Sequence, residues 1–213
     1  PAFFQPLFLV PKSDGVSSRL IADCRRINEA IKDKVVVPAM PLPNLQSIVD
    51  SILDFEFVSS IDAKSMFYQF TMHRTLSRFF GARIGGKRGA FSKVALNVLP
   101  MGCVFAPAFA QHLSNYICCL AMQRAKRQGA DGKIVAWVDN FIFMAKSGPA
   151  IAVMKSIFRQ LVQQLGLVFK DFVDGPSIQL LGVQFDLTRG CARPTDTSKD
   201  KAKEALRAVV SGG

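Results

Sequence analysis

The stretch Val135–Ala145, "VAWVDNFIFMA", is an apolar run of strand-forming residues broken at its centre by Asp139 and Asn140. Burying a carboxylate inside such a run is costly unless something pairs with it. The run extends on both sides to "KIVAWVDNFIFMAK", which predicts a β-hairpin with Asp139-Asn140 near its tip. A second apolar stretch, "FVSSID", closes on Asp62 in the same way. Either carboxylate alone is consistent with a hydrated group in a turn at a strand end. Together they suggest two strands, far apart in sequence, that each present a carboxylate at one end of a sheet. Hard cations such as Mg²⁺ bind through one or two carboxylates plus substrate phosphates.

The surrounding pattern is mixed. "FFQPLFLVPKSDGVSSRLIADCRRIN" predicts a basic hairpin with a turn at Ser13-Asp14-Gly15 and a second strand from Arg19. "VVVPAMPLP" is a proline-punctuated extended linker. "NLQSIVDSIL" has helical spacing with Asn44 or Pro43 at its start, and "FEFVSSIDA" returns to strand. "KSMFYQFTM" continues that strand or turns into a short helix. "RFFGARIGGKRGAFSKVALNV" predicts a hairpin around Gly85-Gly86. "APAFAQHLSNYICCLAMQRAKRQG" is the strongest helical pattern and ends in Arg124, Lys126 and Arg127 before Gly129. "AIAVMKSIFRQLVQQLGL" is a second amphipathic helix, "SIQLLGVQFDLTRG" a further hairpin, and "DTSKDKAKEALRAVV" a charged final helix. Interleaved hairpins and helices predict an α+β fold, an antiparallel sheet backed by helices.

With 213 residues, 49% of them hydrophobic, the chain is long enough for a sizeable core and is not disordered. Its apolar runs fall short of a membrane span, and no signal peptide is visible. It opens at Pro1 within a pattern and without Met, which suggests a fragment. A formal charge of +11 suggests a polyanionic partner, nucleic acid first, although solubilising surface charge has the same composition. Five scattered cysteines and two histidines give no zinc spacing and suggest reduced thiols in an intracellular setting.

Five segments, "LVPKSDGVSSRLIADCRRIN", "SSIDAKSMFYQF", "LPMGCVFAPAFAQ", "AWVDNFIF" and "LLGVQF", occur in the order of the successive motifs of a reverse transcriptase. Over residues 5 to 187 the chain resembles the fingers and palm of a retroelement reverse transcriptase of the LTR or tyrosine-recombinase type. The resemblance implies a right-hand polymerase, with fingers and palm over 1–190 (fingers about 1–45 and 70–100) and a truncated thumb beginning in 191–213. No RNase H or integrase segment is visible. It also implies a two-metal DNA polymerase using Mg²⁺ (two ions), with Mn²⁺ as an alternative, an RNA or DNA template, a DNA primer and dNTPs.

The residue roles implied by the resemblance follow the motifs. Asp62 and Asp139 hold the metals, with the Ala63 carbonyl as a further ligand, and Asn140 completes the catalytic set. Lys12 and Arg19 grip the triphosphate, Ile21 lies by the templating base, and Ser65, Met66 and Phe67 line the nucleotide. Phe67, where the family has a bulky aromatic, excludes a 2′-hydroxyl by its size. Met101 and Gly102 lie against the nucleotide and template base, a place where many relatives carry glutamine or an aromatic. Gln111, Trp137, Val138, Leu181 and Gly182 meet primer or template. Asp23, Arg25 and Asn28 also match the first motif, Asp23 and Arg25 sharing a strand face in a structural or template-side role. Lys170 is a candidate general acid, with a solvated surface lysine the favoured reading.

One departure stands out. The family's motif is aromatic-x-Asp-Asp, and here Asn140 takes the second acidic place. Asparagine keeps the shape and one acceptor oxygen but removes a negative charge, so activity is expected to be reduced or abolished. The alternatives are a catalytically inactive nucleic-acid-binding module on the same fold and, disfavoured by Phe67, an RNA-dependent RNA polymerase.

Overall fold

The computed structural model describes residues 4–12, 15–34, 36, 38–85 and 91–211. In chain order these form β1 (Phe4–Gln5), β2 (Leu7–Pro11), β3 (Ser18–Ala22), α1 (Arg25–Ile31), α2 (Leu45–Leu53) and β4 (Phe57–Asp62). A 3-10 turn (Met66–Gln69) leads to α3 (Arg74–Ser77), β5 (Gly81–Gly85), β6 (Phe91–Ala95) and α4 (Ala106–Arg127). Then come β7 (Lys133–Trp137), β8 (Asn140–Ala145), α5 (Gly148–Gln164), β9 (Val173–Asp174), β10 (Ser177–Leu180), β11 (Val183–Asp186), β12 (Cys191–Pro194) and α6 (Asp196–Ser211). The fold is α+β, as the sequence predicts. No helix among the described residues is long and apolar enough to cross a membrane.

The chain divides into two units, residues 1–41 with 63–113 and residues 42–62 with 114–213. In the first, β2 and β3 pair antiparallel, while β1 runs parallel to β5, which pairs antiparallel with β6. Its core gathers Ala22, Cys24, Ile27, Met72, Phe80, Leu99, Cys103 and Ala106. Phe80 meets Phe105 and Phe70 meets Phe109 edge to face, at 6.4 and 5.3 Å between ring centroids. That geometry suits the ring quadrupoles.

In the second unit the sheet order is β7-β8-β4-β9, every pair antiparallel. Both central strands are largely buried because both faces are covered. Cross-strand partners share a face, and Phe141 and Phe143 meet Phe158 of α5 with centroids 5.0 and 5.1 Å apart. Phe169 and Phe172, from the segment after α5, close the same cluster. On the other face Val58, Ile142 and Met144 pack with Ile48 and Ile52 of α2 and with Ile178, Leu180 and Phe185 of β10 and β11. Asn44 caps α2, its side chain accepting from the amides of Gln46 and Ser47 at 2.8 and 3.3 Å, and Ser147 caps α5. Such caps satisfy amides that have no partner within the helix.

Several details correct the sequence reading. The chain turns into α1 directly after β3, so Asp23 and Arg25 do not share a strand face. Asp23 lies in the loop and Arg25 opens the helix. Their bidentate pair, at 2.8 and 2.5 Å, holds the Asp23 carboxyl down at about 2, chiefly through the Arg25 side-chain hydrogen bonds. The hairpin after α5 gains a third strand, β12, paired with β11. Of the two forms expected for the segment after Asp62, it takes the short helix, here a 3-10 turn. Of the turns expected at Ser13-Asp14-Gly15 and Gly85-Gly86, residues Ser13, Asp14 and Gly86 lie outside the described residues.

Candidate active site

The β7–β8 hairpin closes on the pair Trp137 and Asn140, with Val138 and Asp139 as its two-residue turn. Val138 adopts φ +54°, a conformation that is costly for a β-branched residue. Ser114 of α4 donates to its carbonyl at 2.6 Å and helps hold it there. The strained turn places Asp139 on the exposed tip and starts β8 at Asn140. Asn140 is then the direct cross-strand partner of Asp62, the last residue of β4. Two strands separated by 78 positions in sequence thus bring Asp62, Asp139 and Asn140 to one end of one sheet.

Both oxygens of Asp62 are engaged. Asn140 Nδ2 donates to Oδ1 at 2.8 Å. Lys170 Nζ lies 2.8 Å from Oδ2, and the Lys170 amide donates to the Asp62 carbonyl at 2.9 Å. The Asp62 side chain is 37% exposed and that of Lys170 59%, so solvent screens the pair. Asn140 Oδ1 is buried and accepts no hydrogen bond among the described residues. The asparagine is therefore held through its donor, the side that an aspartate lacks. Lys170, expected to be a solvated surface lysine, is exposed yet tied to Asp62 by both side chain and backbone. Trp137 is partly buried against the α2 and β10–β12 core, on the face that Asp62 and Asn140 also share.

In the first unit the residues of three motifs converge on β3. The amide of Lys12, just past β2, donates to the Ser17 carbonyl at 2.8 Å, and Arg19 pairs with Val10 across the ribbon. Ile21 is half-buried beside them. The Met101 carbonyl accepts from the Ala22 amide at 3.2 Å. Asn28 of α1 clasps the same loop, donating to the Gly102 carbonyl at 3.0 Å and accepting from the Val104 amide at 3.1 Å. Gly102 has φ +112°, and a Cβ there would lie 2.5 Å from the Ala22 carbonyl oxygen, so only glycine fits. Ser65 has φ +48° and opens the 3-10 turn, whose Tyr68 hydroxyl bonds the Leu20 carbonyl. Met66 is buried, and Phe67 packs against the unit's core while keeping part of its ring exposed. Ala63 is buried where the chain enters this unit.

Two further expectations meet the structure differently. Leu181 and Gly182 form the β10–β11 turn with φ +51° and +79°. Ser198 Oγ of α6 bonds the Gly182 carbonyl at 2.9 Å, tying that helix to the turn. Gln111, expected to meet primer or template, is fully buried within α4. Buried Ala108, Ala110 and Ser114 around it are a sequence signal that could have shown this interior face.

A family model described as reverse transcriptase (RNA-dependent DNA polymerase) matches residues 10–171. The chain belongs to the reverse transcriptase family. Among solved structures, the chain is similar to a foamy viral protease–reverse transcriptase determined in complex with double-stranded DNA. The TM-score is 0.67 at 19% identity, over 94% of this chain and 32% of that one. It is also similar to the telomerase of Candida albicans determined with a fragment of telomeric RNA, with a TM-score of 0.69 at 11% identity over 90% of this chain and 46% of that one. No curated protein matches it in sequence. The chain spans about a third and just under half of these two relatives, and the likeness establishes the fingers–palm fold.

For a reverse transcriptase the relevant cofactor is a divalent metal. Among the described residues no group of three or more His, Cys, Asp or Glu side chains is placed to hold one. The hard oxygen ligands at the strand ends are the two carboxylates, since Asn140 turns its Nδ2 toward Asp62, and a cation already sits on Asp62 in the form of the Lys170 ammonium. That set fits a hard ion that completes its shell with substrate phosphates.

Proposed function

We propose that this chain is the fingers and palm of a retroelement reverse transcriptase that extends a DNA primer along an RNA or DNA template with dNTPs. The observation that carries this reading is the Asp62–Asn140 pairing at the ends of β4 and β8, with Asp139 on the adjoining turn. Asp62 and Asp139, with the Ala63 carbonyl, would hold Mg²⁺, two ions by family analogy and Mn²⁺ as a substitute. Bound there, the metal lowers the pKa of the primer 3′-hydroxyl and neutralises charge on the phosphates.

The chain's own groups do the rest. Lys12 and Arg19 hold the triphosphate, Arg19 through its planar fork and Lys12 as a point charge. Phe67 limits the space at the sugar, and Met101 with Gly102 lets backbone approach the base closely. The Leu181-Gly182 turn supports the primer strand, and basic residues meet backbone phosphates without reading sequence, as copying requires. Asn140 in place of an aspartate removes one negative charge and adds a donor to Asp62, so metal binding weakens and turnover falls.

That substitution also favours a second reading, a catalytically inactive nucleic-acid-binding module on the same fold. Extension of a primed template by this chain and by Asn140→Asp, with dNTPs or rNTPs and with Mg²⁺ or Mn²⁺, separates the readings. DNA synthesis restricted to dNTPs supports the polymerase. Duplex binding without extension by either version supports the module, and equal use of rNTPs removes the role given to Phe67.

A further inference from the structure

We propose that Lys170 is a tethered latch on Asp62. Its ammonium holds the carboxylate and must leave Oδ2 before a divalent cation binds there, so Lys170 sets the metal concentration at which the site fills. This rests on the polymerase reading of the Asp62 end of the sheet, and three observations carry it. Lys170 Nζ lies 2.8 Å from Asp62 Oδ2, so it competes with any cation for that oxygen. The lysine is placed there by its backbone, because its amide bonds the Asp62 carbonyl at 2.9 Å. The preceding residue, Phe169, is locked into the aromatic cluster against Phe141 and Phe158, at 5.4 and 5.2 Å between centroids. Releasing the ammonium therefore needs only side-chain rotation, with the backbone staying fixed.

Asn140 strengthens the latch. It donates to Oδ1 while Lys170 takes Oδ2, so the carboxylate has a donor on each oxygen. An aspartate at 140 would instead repel Asp62 and draw a divalent cation in competition with the lysine. The latch thus opposes metal more strongly in this chain than it would beside a second acidic residue. Because the pair is largely solvated, its hold is modest, and removing it shifts metal binding by a factor of about 1.5 to 5.

The test reads Lys170 itself. The chain is treated with an amine-reactive ester, and modification of each lysine is followed by mass spectrometry as Mn²⁺ or Mg²⁺ is added. Trp137, the single tryptophan and the cross-strand partner of Asn140, reports metal binding by fluorescence in parallel. Labelling of Lys170 is expected to rise along the fluorescence curve, with Lys146 at the far end of β8 unchanged. Lys170→Met should lower the half-saturating metal concentration by that factor and Lys146→Met should leave it in place. Asp62→Asn should raise Lys170 labelling without metal. Metal binding with unchanged Lys170 labelling, or an unshifted midpoint in Lys170→Met, overturns the latch and leaves the metal site standing. No response of Trp137 or Lys170 to millimolar metal overturns the metal site and the latch with it.

Discussion

Asp62 and Asn140 stand opposite each other across β4 and β8, and the asparagine amide donates to the aspartate at 2.8 Å. A hydrogen bond to a charged group contributes about 1.5–3 kcal/mol, less where water competes. Asn140→Asp replaces this contact with two carboxylates on a cross-strand pair. We predict that the variant loses about 1–2 kcal/mol of stability in chelator and regains it in millimolar Mg²⁺, measured by urea denaturation. Equal stability of both chains in chelator would show that the amide contact contributes nothing.

Phe158 of α5 touches the rings of Phe141, Phe143, Phe169 and Phe172. Phe158→Ala should cost about 3–5 kcal/mol and loosen the segment that carries Lys170. Hydrogen exchange should then show faster exchange of the Lys170 amide, whose acceptor is the Asp62 carbonyl. Unchanged protection at that amide would mean that the segment is held by β4 alone.

Gly102→Ala puts a Cβ against the Ala22 carbonyl at φ +112° and should cost about 2–3 kcal/mol in strain alone. Gly15→Ala, at φ +67° with nothing within 4 Å of its added Cβ, should cost less. Thermal unfolding of the two variants should rank them in that order.

Burial pushes the thiols of Cys24 and Cys103 up to about 12 and 11, and that of Cys118 further still. Cys119 and Cys191 are exposed. Iodoacetamide at mildly alkaline pH should modify the exposed pair first and the buried three only in denaturant. The sign of the pH dependence follows. The folded chain keeps protons that the unfolded chain loses above the ordinary value of 9.0, so stability falls as pH rises from there through 11–12. A rise in stability over that range would contradict this.

Much of the fold was legible because it is local. The apolar run around Asp139, the helical spacing of α4 and α5 and the turn at Leu181-Gly182 are written within short windows. The helix α1 was not legible. It is seven residues long, has no side-chain cap, and follows β3 within three positions. The strand β12 owes its existence to pairing with β11 and has little pattern of its own. At the site, the identities of Asp62 and Asp139 stood out as charges inside apolar runs, but their environment did not. Lys170 reaches Asp62 across 108 positions, a long-range contact with no periodic signature. Gln111 is placed by its position in the motif, which carries no signal of burial, and only the packing of α4 shows it to be interior.

The central claim is that Asp62 and Asp139 support metal-dependent DNA synthesis, weakened by Asn140. Single-nucleotide incorporation on a primed template under single-turnover conditions tests it most directly, comparing this chain, Asn140→Asp and Asp62→Ala in Mn²⁺. The account predicts dNTP incorporation by this chain, faster incorporation by Asn140→Asp at lower metal concentration, and none by Asp62→Ala. Incorporation by Asp62→Ala at the rate of the unaltered chain, or none by Asn140→Asp while it still binds the duplex, would contradict it.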